Sequence, residues 1–210
     1  MAVQVASHFN TVESDRSLGR IAPQKVGGIL WAPMVLMGIM AFTAGIIVAI
    51  VRANEIDVAG AADTIAGLKH VGAGLMFIGF ASVFAAIDFA IARILGEFRA
   101  GGGEVQEAAG RKVQTLAMPA TAKLFLVTMM MGMMTILTAV VLHFIFAADI
   151  SNTAASLEDA EQRFIILEGI RRAGVAVFLL SFLLGLASII QVIRFQAVRI
   201  RELPAEAKRA

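Results

Sequence analysis

The sequence contains no cysteine and no tyrosine among its 210 residues. Without cysteine it can form no disulfide, no thiolate-ligated metal site, no iron–sulfur cluster and no thiol-based catalytic site. Without tyrosine it can support no tyrosyl radical. Charged residues are also scarce, at 16% of the chain against about a quarter in a typical soluble domain. A surface with so little charge cannot be hydrated throughout, so most of it must face lipid or other apolar helices.

Hydrophobic residues make up 59% of the chain, and the mean hydropathy is +0.82. Four apolar runs lie near 27–51, 71–95, 124–148 and 173–193, and each is long enough to cross a bilayer, which takes about 20 residues. They lack the period-two alternation of membrane strands, and a helix satisfies its own backbone hydrogen bonds in lipid. The sequence therefore predicts an all-α integral membrane protein with four transmembrane helices.

The basic residues beside these runs predict the orientation of the chain. Thirteen fall on one face: Arg16, Arg20, Lys25, Arg93, Arg99, Arg111, Lys112, Lys123, Arg194, Arg199, Arg201, Lys208 and Arg209. Five fall on the other: Arg52, Lys69, Arg163, Arg171 and Arg172. The positive-inside rule then predicts that both termini lie on the cytoplasmic side of the membrane. We expect this to be a bacterial inner (plasma or intracytoplasmic) membrane. We interpret the basic collar as an anchor to anionic lipids at the cytoplasmic face, with no role in nucleic-acid binding.

The apolar half of the chain also shows an internal repeat. Gly67–Gly72 and Gly169–Gly174 open two runs at an offset of 102 residues, and Met37–Met40 matches Met131–Met134 at an offset of 94. The first pair opens the second span of each helical hairpin, and the second pair lies within the first span of each. The pattern predicts two tandem hairpins in a parallel repeat, related by an axis along the membrane normal and packed as a four-helix bundle.

This reading divides the chain into five parts. They are a cytoplasmic lead (1–26), a first hairpin (27–100), a cytoplasmic linker (101–117), a second hairpin (118–202) and a C-terminal tail (203–210). The lead is expected to be irregular or ordered by a partner, and the linker to begin with a flexible break at Gly101–Gly103 and to continue as a short surface helix over Glu104 to Gln114. The last helix is expected to extend over 157–201, with an N-cap at Ser156 and a stop at Pro204.

Two histidines are candidates for cofactor binding. His70 opens the second run and His143 ends the third, so both should lie at similar depth on the outer side. Imidazoles from two helices can ligate a b-type haem or a transition metal. The internal repeat has no histidine at either equivalent position, since His70 aligns with Arg172 and His143 with Ala49. The competing interpretation is two separate, hydrated histidines at the membrane interface.

Asp88 is a candidate for an ion path, because an acid inside an apolar helix is by default a functional-site hypothesis. It follows Val71 by about 25 Å of helix, near the cytoplasmic edge of a ~30 Å hydrocarbon core. Arg93 is near enough in sequence to reach it. Asp88 would then be the coupling site of a small transporter.

Methionines form two stripes that could serve the same transport role or relay Cu(I), to which thioethers bind. They are Met34, Met37 and Met40 in the first run, and Met129, Met130, Met131, Met133 and Met134 in the third. We interpret them as adaptable packing against helices or lipid.

Rows of small residues, such as Gly38 with Gly45 and Gly72 with Gly79, predict close helix contacts.

The sequence shows no hydrolase, zinc-helix, dinucleotide-binding or paired-carboxylate motif. A four-span chain of this kind is similar to accessory subunits of respiratory, photosynthetic or monooxygenase complexes. We therefore expect a non-catalytic subunit whose partners are other membrane-protein subunits and which needs no cofactor of its own. The haem or metal protein and the small transporter are the two alternatives.

Overall fold

The computed structural model describes residues 9–14 and 18–207, so Arg16, Lys208 and Arg209 of the basic collar lie outside the described residues. Within these ranges the chain forms four helices and two short strands, in the order β1 (Thr11–Ser14), α1 (Ala22–Asn54), α2 (Ala62–Ala108), β2 (Val113–Leu116), α3 (Ala120–Ala148) and α4 (Ala154–Ala207). All four helices are long and apolar enough to span a membrane. This confirms the predicted number and type of spans in a multi-pass membrane protein.

Two compact units share these helices. Unit 1 contains the described residues up to Trp31 together with 87–126 and 181–207, and unit 2 contains 32–86 and 127–180. Each helix therefore contributes one segment to each unit. The two units are described separately below.

Helix α2 is the most buried of the four: half of its most apolar stretch is buried, against 17% in α1. In unit 2 it contacts α1 through Gly38, where an added Cβ would lie 2.8 Å from a methyl group of Val83 and 3.3 Å from the carbonyl oxygen of Gly79. It reaches α3 through Gly74, which lies against Phe144. Small residues thus permit close approach of α2 to its neighbours, and the predicted packing role of the glycine rows is confirmed.

The expected break at Gly101–Gly103 is wrong, because α2 continues through all three glycines to Ala108. The side chain of Gln196 occupies the space that a Cβ on Gly102 would need, and Leu18 lies 3.2 Å from the Cβ position of Gly103. Gly102 and Gly103 therefore allow close packing inside a helix, whereas the Cβ position of Gly101 meets nothing within 4 Å. Helix α2 ends at Ala108, and Gly110, two residues later, has a φ of 66°, which suits a glycine that follows a helix C-terminus.

Helix α4 is longer than expected at both ends. It begins at Ala154 because Thr153 acts as the N-cap, its hydroxyl accepting a hydrogen bond from the backbone N–H of Ser156 at 3.3 Å. The expected stop at Pro204 is wrong, since the helix continues to Ala207. The fixed φ of proline is itself helical, and only three residues of the helix follow it.

The lead, expected to be irregular or ordered by a partner, and the linker, expected to be helical over Glu104 to Gln114, form a two-stranded antiparallel ribbon in unit 1, with Thr11 opposite Leu116. The buried side chain of Gln106 holds β2: its amide donates to the carbonyl of Gln114 at 2.9 Å, and its oxygen accepts from the N–H of Gln114 at 2.8 Å. Arg199 donates to the same oxygen at 3.3 Å. The ribbon is thereby attached to both α2 and α4.

The adjacent glycines of α1 provide a matched test of helix packing. In Gly27→Ala the new Cβ would lie 2.6 Å from the carbonyl oxygen of Phe89, a backbone atom of α2 that cannot turn aside. In Gly28→Ala the new Cβ meets nothing within 4 Å. We expect Gly27→Ala to lower the free energy of unfolding by about 1–3 kcal/mol, and Gly28→Ala to leave it unchanged or raise it by up to about 1 kcal/mol. Thermal unfolding in detergent measures both, and equal stability of the two variants would contradict the packing described.

Candidate functional site

The two candidate histidines meet in unit 2. His70 on α2 and His143 on α3 are both buried, with 1% and 0% of their surfaces exposed. Their Nδ1 atoms lie 3.0 Å apart, which is a hydrogen-bond distance. The second ring nitrogen of His70, Nε2, lies 3.1 Å from the backbone carbonyl oxygen of Ala160 on α4. The pair therefore connects three helices.

The chemistry of these contacts assigns a different proton position to each ring. A carbonyl oxygen only accepts, so Nε2 of His70 must donate to Ala160. In a neutral ring, Nδ1 of His70 then carries a lone pair and accepts from Nδ1–H of His143. This leaves the lone pair on Nε2 of His143, which is buried and has no hydrogen-bond partner among the described residues. Since buried polar atoms are usually paired, this atom is the most informative in the site.

Aromatic side chains enclose the pair. The ring of Phe77 lies 4.9 Å from that of His143, and Phe164 lies 5.4 Å from His70 and 5.6 Å from His143, measured between ring centroids. Phe146 lies 6.3 Å from His70. The enclosure is apolar on the sides that are not hydrogen-bonded.

Basic side chains cover the outer faces of these phenylalanines. Nζ of Lys69 lies 4.2 Å from the ring centroid of Phe164, and the guanidinium carbon of Arg171 lies 5.0 Å from that of Phe77. Both cations are paired with acids, Lys69 with Glu161 and Arg171 with Glu168. The site is therefore closed by a layer of aromatic rings beneath a layer of ion pairs.

The structure confirms that His70 and His143 lie at similar depth, and it contradicts the interpretation of separate, hydrated histidines. That interpretation failed because the sequence does not show that α2, α3 and α4 meet at this level. Ala160 could not be identified in advance, since its contribution is a backbone carbonyl. Nothing in the sequence distinguishes Phe77, Phe146 and Phe164 from the other phenylalanines among the fourteen in the chain.

The geometry also bears on how the pair could hold a metal. Two nitrogens that bind one metal from opposite sides, at about 2 Å each, are about 4 Å apart. The Nδ1 atoms are 3.0 Å apart and are hydrogen-bonded to each other, so this arrangement does not hold an iron between the rings. His143 could serve as a single ligand: its Nε2 would bind the metal while its Nδ1–H is oriented by His70, as the second nitrogen of a metal-bound histidine usually is. Within residues 9–14 and 18–207, no cluster of three or more His, Cys, Asp or Glu side chains could hold a bare metal ion.

Asp88 belongs to unit 1 and forms a separate buried pair. Its carboxyl group is fully buried, and the hydroxyl of Ser181 on α4 lies 2.8 and 3.0 Å from its two oxygens. Arg93, the expected neighbour, instead pairs with Glu97 at 3.7 Å. Ser181 was visible in the sequence only as one of the small residues that line α4.

The methionine stripes do not meet at a common site. Most of these side chains lie on the exposed surface of α1 or α3, including Met37, Met40, Met130, Met131 and Met134. Met129 is buried. This placement suits contact with lipid or with another apolar surface.

Comparisons with known proteins add no family to this picture. No family model matches the chain, and it has no significant match among curated proteins or solved structures.

The assigned tautomers can be measured directly. In protein labelled with ¹⁵N-histidine and held at about pH 8, where free histidine is neutral, we expect His70 to carry its proton on Nε2 and His143 to carry its proton on Nδ1. His70→Gln and His143→Gln assign the two sets of resonances, and His8→Gln identifies the third. Two signals with the proton on Nε2 in both rings would contradict the hydrogen-bonded pair.

Proposed function

We propose that this chain is a non-catalytic integral subunit of a larger membrane complex, to which it contributes helix packing, lipid contact and assembly. The observation that carries the proposal is the length of α4, 54 residues. A helix of that length extends over about 80 Å, whereas a hydrocarbon core is about 30 Å thick. Helical segments therefore project beyond the apolar span, where another subunit can bind them.

One projecting segment carries an apolar surface among charges. Ile165 and Ile166 lie on α4 before the apolar run 173–193, and more than half of each side chain is exposed. Charged residues surround them in sequence, from Glu158 to Arg172. Exposed isoleucines in a charged segment suit a contact with protein better than a contact with water.

In the proposed orientation both termini lie on the cytoplasmic side of a bacterial inner membrane, and the distribution of basic residues supports this orientation. The proposed tandem repeat rests on the sequence match. Gly72 on α2 faces Val48 of α1, whereas the matching Gly174 on α4 faces Ile136 of α3, whose equivalent in α1 is Phe42, so the two hairpins pack in different registers in unit 2.

Co-purification tests the subunit proposal. When the chain is extracted from its native membrane in mild detergent, we expect other membrane proteins to accompany it in fixed stoichiometry. Ile165→Glu with Ile166→Glu should reduce the amount of co-purified partner, because the exposed apolar contact becomes charged. The matched variant Ile165→Leu with Ile166→Leu keeps the contact apolar and should retain the partner. A homogeneous preparation of the chain alone would refute the proposal.

A second candidate function rests on the unpartnered Nε2 of His143. Nε2 of His143 is the nitrogen of the pair that could ligate a b-type haem, with His70 as the positioning residue, and the packed ring of Phe77, 4.9 Å from that of His143, would have to move to admit the macrocycle. The transport alternative at Asp88 has no comparable observation in its favour and stays a prediction.

Reduced-minus-oxidised visible spectra of the purified protein test the haem candidate. We expect a haem absorption band that His143→Ala abolishes, because the iron loses its ligand. His70→Ala should retain the band and shift the reduction potential, because only the partner of the ligand is lost. A wild-type protein without the band, and without iron by elemental analysis, would exclude this candidate whatever its co-purified partners.

A further inference from the structure

Unit 1 contains a cavity that is not part of either buried pair. Its volume is about 320 Å³, within the range of about 300–1,000 Å³ found for ligand sites. Apolar side chains from α2, α3 and α4 form most of its wall, among them Leu95, Phe125, Leu126, Val192 and Phe195. Phe125 and Phe195 are almost fully buried, so the wall is part of the packed interior of the unit.

Polar side chains are few in the lining, and among the described residues Arg99 is the one charged member. Nε of Arg99 donates to the carbonyl of Gly19 at 3.3 Å, which fixes the side chain. Among the described residues, the two terminal guanidinium nitrogens of Arg99 have no partner, so they can bind an anionic group. Gln24 and Gln196 add amide groups to the same lining.

The surrounding segments are basic. Arg20 and Lys25 lie close in sequence to the part of α1 that lines the cavity, and Lys123 and Arg194 occupy the corresponding parts of α3 and α4. The nearby acid Glu97 is paired with Arg20 at 2.6 Å. An occupant with a negative charge is therefore favoured over a neutral one.

We propose that this cavity binds one acyl chain of an anionic phospholipid, with the headgroup phosphate at Arg99. The apolar wall suits a hydrocarbon chain, and the positioned guanidinium suits a phosphate. A chain embedded in a bilayer meets such lipids at high local concentration. The site is independent of the subunit proposal, because every group that forms it belongs to this chain.

Two substitutions separate the parts of the site. Val192→Trp fills the cavity, and the matched control Ile190→Trp places the same side chain on an exposed position of α4 outside the lining. Arg99→Gln removes the charge and keeps a polar side chain. If Val192→Trp does not give a monodisperse protein, Ala122→Leu fills the cavity from α3.

The experiment uses the purified chain in vesicles of equal parts phosphatidylglycerol and phosphatidylcholine. The protein is re-extracted in detergent, and the lipid retained per chain is counted by mass spectrometry. We expect wild type and Ile190→Trp to retain phosphatidylglycerol at one per chain, and Val192→Trp to retain at least about tenfold less, equivalent to about 1.4 kcal/mol. Arg99→Gln should lose about fivefold in preference for phosphatidylglycerol over phosphatidylcholine, as about 1 kcal/mol per basic residue implies.

Three outcomes would overturn the proposal. One is equal retention of lipid by wild type and the cavity-filling variant. Another is equal retention of the two lipids by wild type, which would show that the charge has no role. The third is an isoprenoid quinone, in place of phospholipid, in protein taken from its native membrane.

Discussion

The polar groups buried in these apolar helices depend on one another for hydrogen bonds, because neither lipid nor a hydrocarbon-like interior offers one, and Nε2 of His143 is the exception among the described side chains. Helix α2 supplies one such group to each unit, His70 to unit 2 and Asp88 to unit 1. In each case the partner lies on another helix: His143 and Ala160 for the first, Ser181 for the second. The positions of the helices and the pairing of these groups therefore depend on each other.

Small residues make these pairings possible. A side-chain hydrogen bond of about 3 Å requires the helix axes to be close, and the glycines of α2 and α4 permit that approach. Gly185 on α4, one turn from Ser181, lies against Ile91 of α2, with a Cβ position 2.9 Å from it. In unit 2, Gly74 on α2, one turn from His70, lies against α3. The small residues that allow close helix packing and the buried polar pairs are thus parts of one arrangement.

The histidine pair shows how identical residues acquire different chemistry. Both are imidazoles at the same depth, but one uses both nitrogens in hydrogen bonds and the other uses one. A backbone carbonyl of α4 causes the difference, because it can only accept. A ligand that approaches this site therefore meets one available lone pair, on His143, and His70 acts on that ligand only through its partner.

The sequence by itself determined the membrane class, the four spans and the packing faces, because hydrophobic length and the spacing of small residues are local properties of each helix. It also identified His70, His143 and Asp88 as unusual, since each interrupts an apolar run. The glycines at Gly101–Gly103 were misjudged because the low helix propensity of glycine matters less where a neighbouring helix packs against the backbone. Pro204 was misjudged because its fixed φ is itself helical and only three residues of the helix follow it. Only the tertiary structure decided which groups met: Ala160 contributes a backbone atom, Ser181 is one small residue among many, and the ribbon depends on Gln106 of α2. The contacts of the histidine pair, Ala160 and Ser181 join residues 73 to 93 positions apart in the chain, and no local pattern encodes which of them meet.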